Sequence, residues 1–174
     1  MANLFDYLQW RGDITFEQVP FNKIDALLLS HLSYSVFDGL LTERFNDTKT
    51  LSQLAQDLKK SKDYEDRINI GFLINKRTVE LLNTCAESER FKNVQICGYK
   101  KIDNEEIKEQ FAAMVYLAGG KTVISYRGTD DTINGWWEDF NLVYMPQIPS
   151  QKDYIEYLKS ASEYFKEDII LVGH

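Results

Sequence analysis

Two stretches of this 174-residue chain combine residues whose types and spacing could do chemistry: KTVISYRGTDD at residues 121–131 and IILVGH at residues 169–174. Each is a largely apolar run that ends at a glycine, the pattern of a strand entering a tight turn. A glycine-containing turn at a strand's carboxyl end presents backbone N–H groups. Preorganised N–H donors are what a developing oxyanion requires. Two such turns on parallel strands leave the sheet at one edge and can face a single reacting atom. The turns at Gly128 and Gly173 are therefore candidate site elements, with Thr129, Trp136 and Trp137 beside the first, in the stretch RGTDDTINGWWEDF, and His174 beside the second.

The remaining reactive side chains have plainer readings. Asp130 and Asp131 are adjacent, so on extended chain they point in different directions. Without a third ligand they make a solvated turn rather than a metal site. Arg127 could bind an acidic group, but Asp130, Asp131 and Asp139 lie close in sequence, and a structural ion pair, for instance with Asp139, is the better expectation. Trp136 and Trp137 read, from the residues alone, as one core residue and one cover for the sheet edge. His31 falls on the apolar face of a helix and is expected to be a satisfied core residue. Cys85 and Cys97 have no CxxC spacing and no neighbouring His or Cys, so they are expected as free, partly buried thiols in a reducing cytoplasm. No metal or cofactor is called for.

Composition bounds the partners. The chain is 44% hydrophobic, enough for a substantial core, and its formal net charge is -7 with no basic cluster larger than Lys59, Lys60 and Lys62. Nucleic acid is therefore not an expected partner, because neutralising phosphates needs grouped Lys and Arg. No stretch approaches the ~20 apolar residues of a membrane span. Asp6, Arg11 and Asp13 interrupt the apolar core that a signal peptide would have.

The elements that must position these residues follow from periodicity. Ile24, Leu27, Leu28, His31 and Leu32 recur at helical spacing, with Asn22 as a cap. Leu51, Leu54, Ala55 and Leu58 repeat the pattern after Thr48 or Thr50. A third helical region runs from about Asp63 to Ser88, with a break near Gly71 and a face of Thr78, Leu81, Leu82 and Cys85. From Phe91 the period changes to alternation. Val94, Ile96 and Gly98 precede a charged turn at 101–106, then Phe111, Ala113, Val115 and Leu117 alternate up to Gly119-Gly120, a hairpin signal leading into KTVISYRG. After the Pro-containing loop at 145–150, an amphipathic segment with Tyr154, Tyr157, Leu158, Ala161 and Phe165 leads into Ile169–Val172. Strand, helix and strand in this order make a right-handed crossover with the last two strands parallel, and the final apolar run reads as a buried strand.

The hairpin, the strand ending in Tyr126-Arg127-Gly128-Thr129, the Trp-containing segment up to Asp139 and the strand ending in Gly173-His174 together resemble the fungal-type (class 3) triacylglycerol lipases. The N-terminal stretch FDYLQWRGDITFEQVPFNKIDALLLSHLSYSVFDGL is similar to an uncharacterised bacterial branch of those lipase-like α/β hydrolases. The resemblance covers nearly the whole chain, and YRGTDDTINGWWEDFN is its most specific part. It implies an α/β fold: the N-terminal portion of an α/β-hydrolase sheet, an antiparallel hairpin leading into parallel strands, with a helical N-terminal segment. Residues 1–90 would be that segment and residues 91–174 the first part of the hydrolase core, incomplete at its C-terminus.

The resemblance further implies that Thr129 supplies an oxyanion-hole N–H beside Gly128. Gly173 and His174 would open the G-x-S-x-G nucleophile turn without being triad members, and Trp136 and Trp137 would lie in a pocket or lid. The serine would follow His174, so the expectation is that the natural polypeptide continues and that the 174-residue chain alone is inactive. The function implied is that of a cytoplasmic serine hydrolase acting on a small-molecule carboxylic ester or related acyl substrate, without cofactor. The alternative is a noncatalytic lipase-like binding or scaffold domain, in which exposed sheet could support a homo-oligomer.

Overall fold

A computed structural model describes residues 2–68, 76–104, 106, 109–128, 144, 149–166 and 168–173. The fold is α/β: among the described residues, six helices surround a five-stranded sheet of order β1-β2-β3-β4-β5. The helices are α1 (Leu4–Arg11), α2 (Lys23–Leu32), α3 (Leu51–Lys60), α4 (Tyr64–Ile68), α5 (Lys76–Glu87) and α6 (Pro149–Tyr164). The strands are β1 (Lys49–Thr50), β2 (Gln95–Asn104), β3 (Glu109–Ala118), β4 (Lys121–Tyr126) and β5 (Ile169–Gly173). The sheet is mostly antiparallel, with β5 parallel to β4.

β3 explains the layering. Phe111, Ala113 and Val115 face one core with Cys97, Ile124, Tyr157 and Ala161, so α6 covers that side. Met114, Tyr116 and Ala118 face the opposite core with Leu28, Leu32, Leu54, Leu82 and Phe91 from the N-terminal helical half. A strand whose alternate residues are both apolar must be covered twice, and β3 sits between two helical layers. Gly119 and Gly120, at φ +57 and +71, close the β3–β4 hairpin with Ala118 opposite Lys121. Both left-handed positions are those that a two-residue hairpin turn asks of glycine.

Helix entry points are set by side chains. Asn3 caps α1, Asn22 caps α2 and Thr50 caps α3, each in a capping box whose third helical residue, Asp6, Asp25 or Gln53, bonds back. The stripe Leu51, Leu54, Ala55 and Leu58 is buried as its spacing predicts, and so are Thr78, Leu81, Leu82 and Cys85 on α5.

Five expectations change. On α2 the buried face is Asp25, Leu28, Leu29 and Leu32, while Ile24 and Leu27 are 45% and 54% exposed, because Asp25 is drawn inward by an ion pair with Arg90. His31 is half-buried at the rim of that face, its ring 6.3 Å from that of Tyr34, rather than in the core. The chain at 101–104 stays extended, pairing Lys101 with Ala112 and Asn104 with Glu109, since charged side chains on half-exposed strand cost the ladder nothing. β5 is half-buried, with Leu171 52% exposed, because it lies outermost in the sheet order. The short strand β1, inside the segment read as helical, pairs Lys49 with Ile96 and Thr50 with Gln95.

Candidate functional site

The carboxyl ends of β4 and β5 form the edge to which the sequence points. Their parallel register runs from Thr122 opposite Ile169 to Tyr126 opposite Gly173. The last paired residues, Tyr126 and Gly173, therefore stand at the same level of the sheet on strands that run in the same direction. Arg127 is buried, and its backbone N–H donates to the Ala112 carbonyl at 2.9 Å, carrying the β3–β4 pairing one residue past the strand. Gly128 is half-buried and Gly173 exposed. A Cβ built on Gly173 would lie 3.7 Å from the Tyr126 carbonyl oxygen, an ordinary contact, so β4 does not itself demand glycine there.

Beneath this edge is an aromatic cradle on the α6 side. The Tyr126 and Tyr154 rings meet edge to face at 4.9 Å, and Phe111 stands 5.1 Å from Tyr154. The tyrosine pair is also reciprocally hydrogen-bonded across the two elements. Tyr126 Oη donates to the Tyr154 carbonyl at 3.1 Å, and Tyr154 Oη donates to the Arg127 carbonyl at 3.4 Å. Burial, and after it the neighbouring Tyr154, pushes the Tyr126 phenol up to about 12. Burial raises Tyr157 well above its ordinary value, and its hydroxyl donates to the Gly98 carbonyl. These phenols are hydrogen-bond donors near neutral pH, not proton shuttles.

Gly98 has its own requirement. Its φ is +63, and a Cβ there would come within 2.5 Å of the Phe45 ring, at the point where the β2–β3 register shifts between Cys97 and Lys100. The irregularity lets Phe45 and Tyr157 pack edge to face at 5.8 Å over β2.

Of the residues singled out from sequence, Gly128 and Gly173 are brought to one edge. Thr129, Asp130, Asp131, Trp136, Trp137, Asp139 and His174 lie outside the described residues. The ion pair expected between Arg127 and Asp139 falls there too. His31 borders a separate hollow with Leu4, Phe5 and Leu81. Cys85 and Cys97 are free and buried, and burial raises both thiols, Cys97 to about 12. Neither is a nucleophile in waiting. No group of three or more metal-ligating side chains occurs among the described residues, and none of the described helices is long and apolar enough to cross a membrane.

Sequence reading missed a buried and multiply bonded polar group. Arg90 Nε and Nη2 bind the two Asp25 carboxylate oxygens at 2.8 and 2.6 Å, with both side chains within 1% of full burial. Nη1 donates to the carbonyls of Ile14, Thr15 and Val19, and the guanidinium stacks 4.2 Å from the centre of the Phe16 ring. Tyr7 Oη donates to the same carboxylate at 2.8 Å, and Asn22 Nδ2 donates to Tyr7 Oη at 3.0 Å. Hydrogen bonding to Asp25 holds Arg90 above its ordinary value, so the pair is a charged structural tie. The signal available in sequence was the N22-x-x-D25 capping box, which commits Asp25 to the first turn of α2.

Comparison with known proteins finds one family. A family model described as Mbeg1-like matches residues 85–174, just over half of the chain. No curated protein and no solved structure matches.

Proposed function

The chain belongs to the Mbeg1-like family, and for this member we propose the activity of a serine hydrolase of the α/β class, acting on a carboxylic ester or related acyl compound. The observation that carries this reading is the parallel register that sets Gly173 opposite Tyr126. It supports a shared edge at which the turn after β4 offers oxyanion donors, Thr129 N–H among them, to chemistry begun just after β5. In this reading the serine follows His174, so the active species is a polypeptide extending beyond residue 174. Its hydroxyl oxygen bonds to the acyl carbon while a base takes the proton, and the oxyanion collapses with loss of the alcohol, which leaves with a proton. Water then releases the acid and restores the serine. Trp136 and Trp137 would border the acyl group. Buried free thiols suit a reducing compartment such as the cytoplasm.

A fluorophosphonate probe, which phosphonylates activated serines, tests the reading on the full-length natural polypeptide. Label on a serine immediately after His174, together with hydrolysis of short-chain nitrophenyl esters, is the expected result. A full-length protein that takes up no label and cleaves no ester is not a hydrolase, and a noncatalytic binding role then takes its place.

A further inference from the structure

We propose that Tyr154 is a positioning residue for the chain at Arg127 and Gly128, just after β4, acting from α6 through the Arg127 carbonyl. This deepens the hydrolase reading and rests on it for its catalytic consequence. Backbone donors at an oxyanion site work only if the peptide units are fixed before reaction, since reorganisation would consume the stabilisation they offer. On its β3 side the chain at Arg127 is held by the N–H donated to Ala112. Its carbonyl is the last described backbone acceptor before Gly128, and Tyr154 Oη reaches it at 3.4 Å. The return bond from Tyr126 Oη to the Tyr154 carbonyl, at 3.1 Å, ties the same turn of α6 to the last residue of β4. The two bonds form a closed loop of side chain and backbone around residues 126–127, locked by the edge-to-face ring contact at 4.9 Å.

Tyr154 reaches the Arg127 carbonyl from the α6 side. Tyr157, one turn along α6, turns its hydroxyl to Gly98 on β2 instead. Tyr154 itself is half-buried, wedged between Phe111 and Tyr126, so its ring position does not depend on the hydroxyl. Removal of one oxygen should therefore loosen the turn while leaving the packing intact.

Tyr154→Phe in the full-length protein is the test, read three ways. Expected are an unchanged thermal midpoint, a kcat and a fluorophosphonate labelling rate both lowered about tenfold at unchanged KM, and faster amide exchange in a peptide covering residues 126–128. Tenfold is a fraction of the ~10²–10³ lost when an oxyanion donor is deleted outright, as fits a donor displaced rather than removed. Labelling equal to wild type, or an effect confined to KM, overturns the positioning role. Should the wild-type protein itself take no label, the hydrolase reading fails separately. The exchange measurement still decides whether Tyr154 clamps the turn: unaltered exchange at 126–128 sinks the clamp whatever the activity.

Discussion

Asp25→Ala is expected to weaken the fold substantially. It strips Arg90 of both carboxylate bonds and leaves a guanidinium whose side chain is only 1% exposed. Breaking a buried pair by deleting one partner costs ~3–5 kcal/mol, because the survivor stays buried and charged. Three carbonyls still accept from Nη1, so the loss should fall near the lower end, about 3 kcal/mol, a large share of the ~5–15 kcal/mol that holds an ordinary domain folded. Urea unfolding monitored by tryptophan fluorescence would show the midpoint fall with the slope unchanged. The double variant Asp25→Ala with Arg90→Met removes both charges, so its loss should be smaller than the sum of the two single losses by about 2 kcal/mol or more. A loss below about 1 kcal/mol for Asp25→Ala, or strictly additive singles, would mean that the pair is screened or replaced by water and that its bond count misleads.

Other perturbations separate fold from site. Gly98→Ala combines a left-handed backbone with a Cβ within 2.5 Å of Phe45, and should cost about 2–4 kcal/mol in the same urea titration. A loss under about 1 kcal/mol would show that β2 can repack. Gly173→Ala meets only ordinary contacts and has no positive φ, so the thermal midpoint should hold or rise slightly; a clear fall would mean that folding, not the site, selects glycine there. Folding raises the Cys97 thiol from its ordinary 9.0 to about 12, so the native state keeps its proton more tightly than the unfolded chain. The stabilising difference is fully present below about pH 9 and is lost as pH rises toward 12, with Tyr126 adding to the same trend above its ordinary 10.0. Thermal midpoints should be flat from pH 7 to 8.5 and fall above pH 9. A midpoint that rises there would contradict burial of these groups.

What sequence made legible was whatever depends on neighbours in the chain. The two glycines at 119–120 determine the hairpin, and the apolar spacing of α6 between two extended runs brings β5 beside β4 in parallel. That pairing, in turn, is why Gly128 and Gly173 come to a common edge. Helical spacing alone misjudged α2, because it counted Ile24 and Leu27 toward the core and could not know that a carboxylate would be buried in their place. The partner of Asp25 lies 65 residues away, and no local pattern announces it. Strand β1 escaped for the same reason, being two residues long and recognisable only through its pairing with β2. The tyrosine clamp has a different cause. Tyr154 reads as one more apolar-face aromatic, and only its position beside Tyr126 reveals a hydroxyl aimed at backbone.

The bonds of Arg90 also bear on how the chain reaches its fold. They join residues 65 to 76 positions apart, closing the N-terminal loop over the start of β2. Contacts of such separation demand loop closure before they return any stabilisation, and so they are expected to form late on the way to the native state. Interactions absent from the transition state govern the rate of leaving the native basin more than the rate of entering it. The guanidinium is thus expected to act as a latch in time as well as in space: Asp25→Ala should speed unfolding far more than it slows folding in stopped-flow measurements.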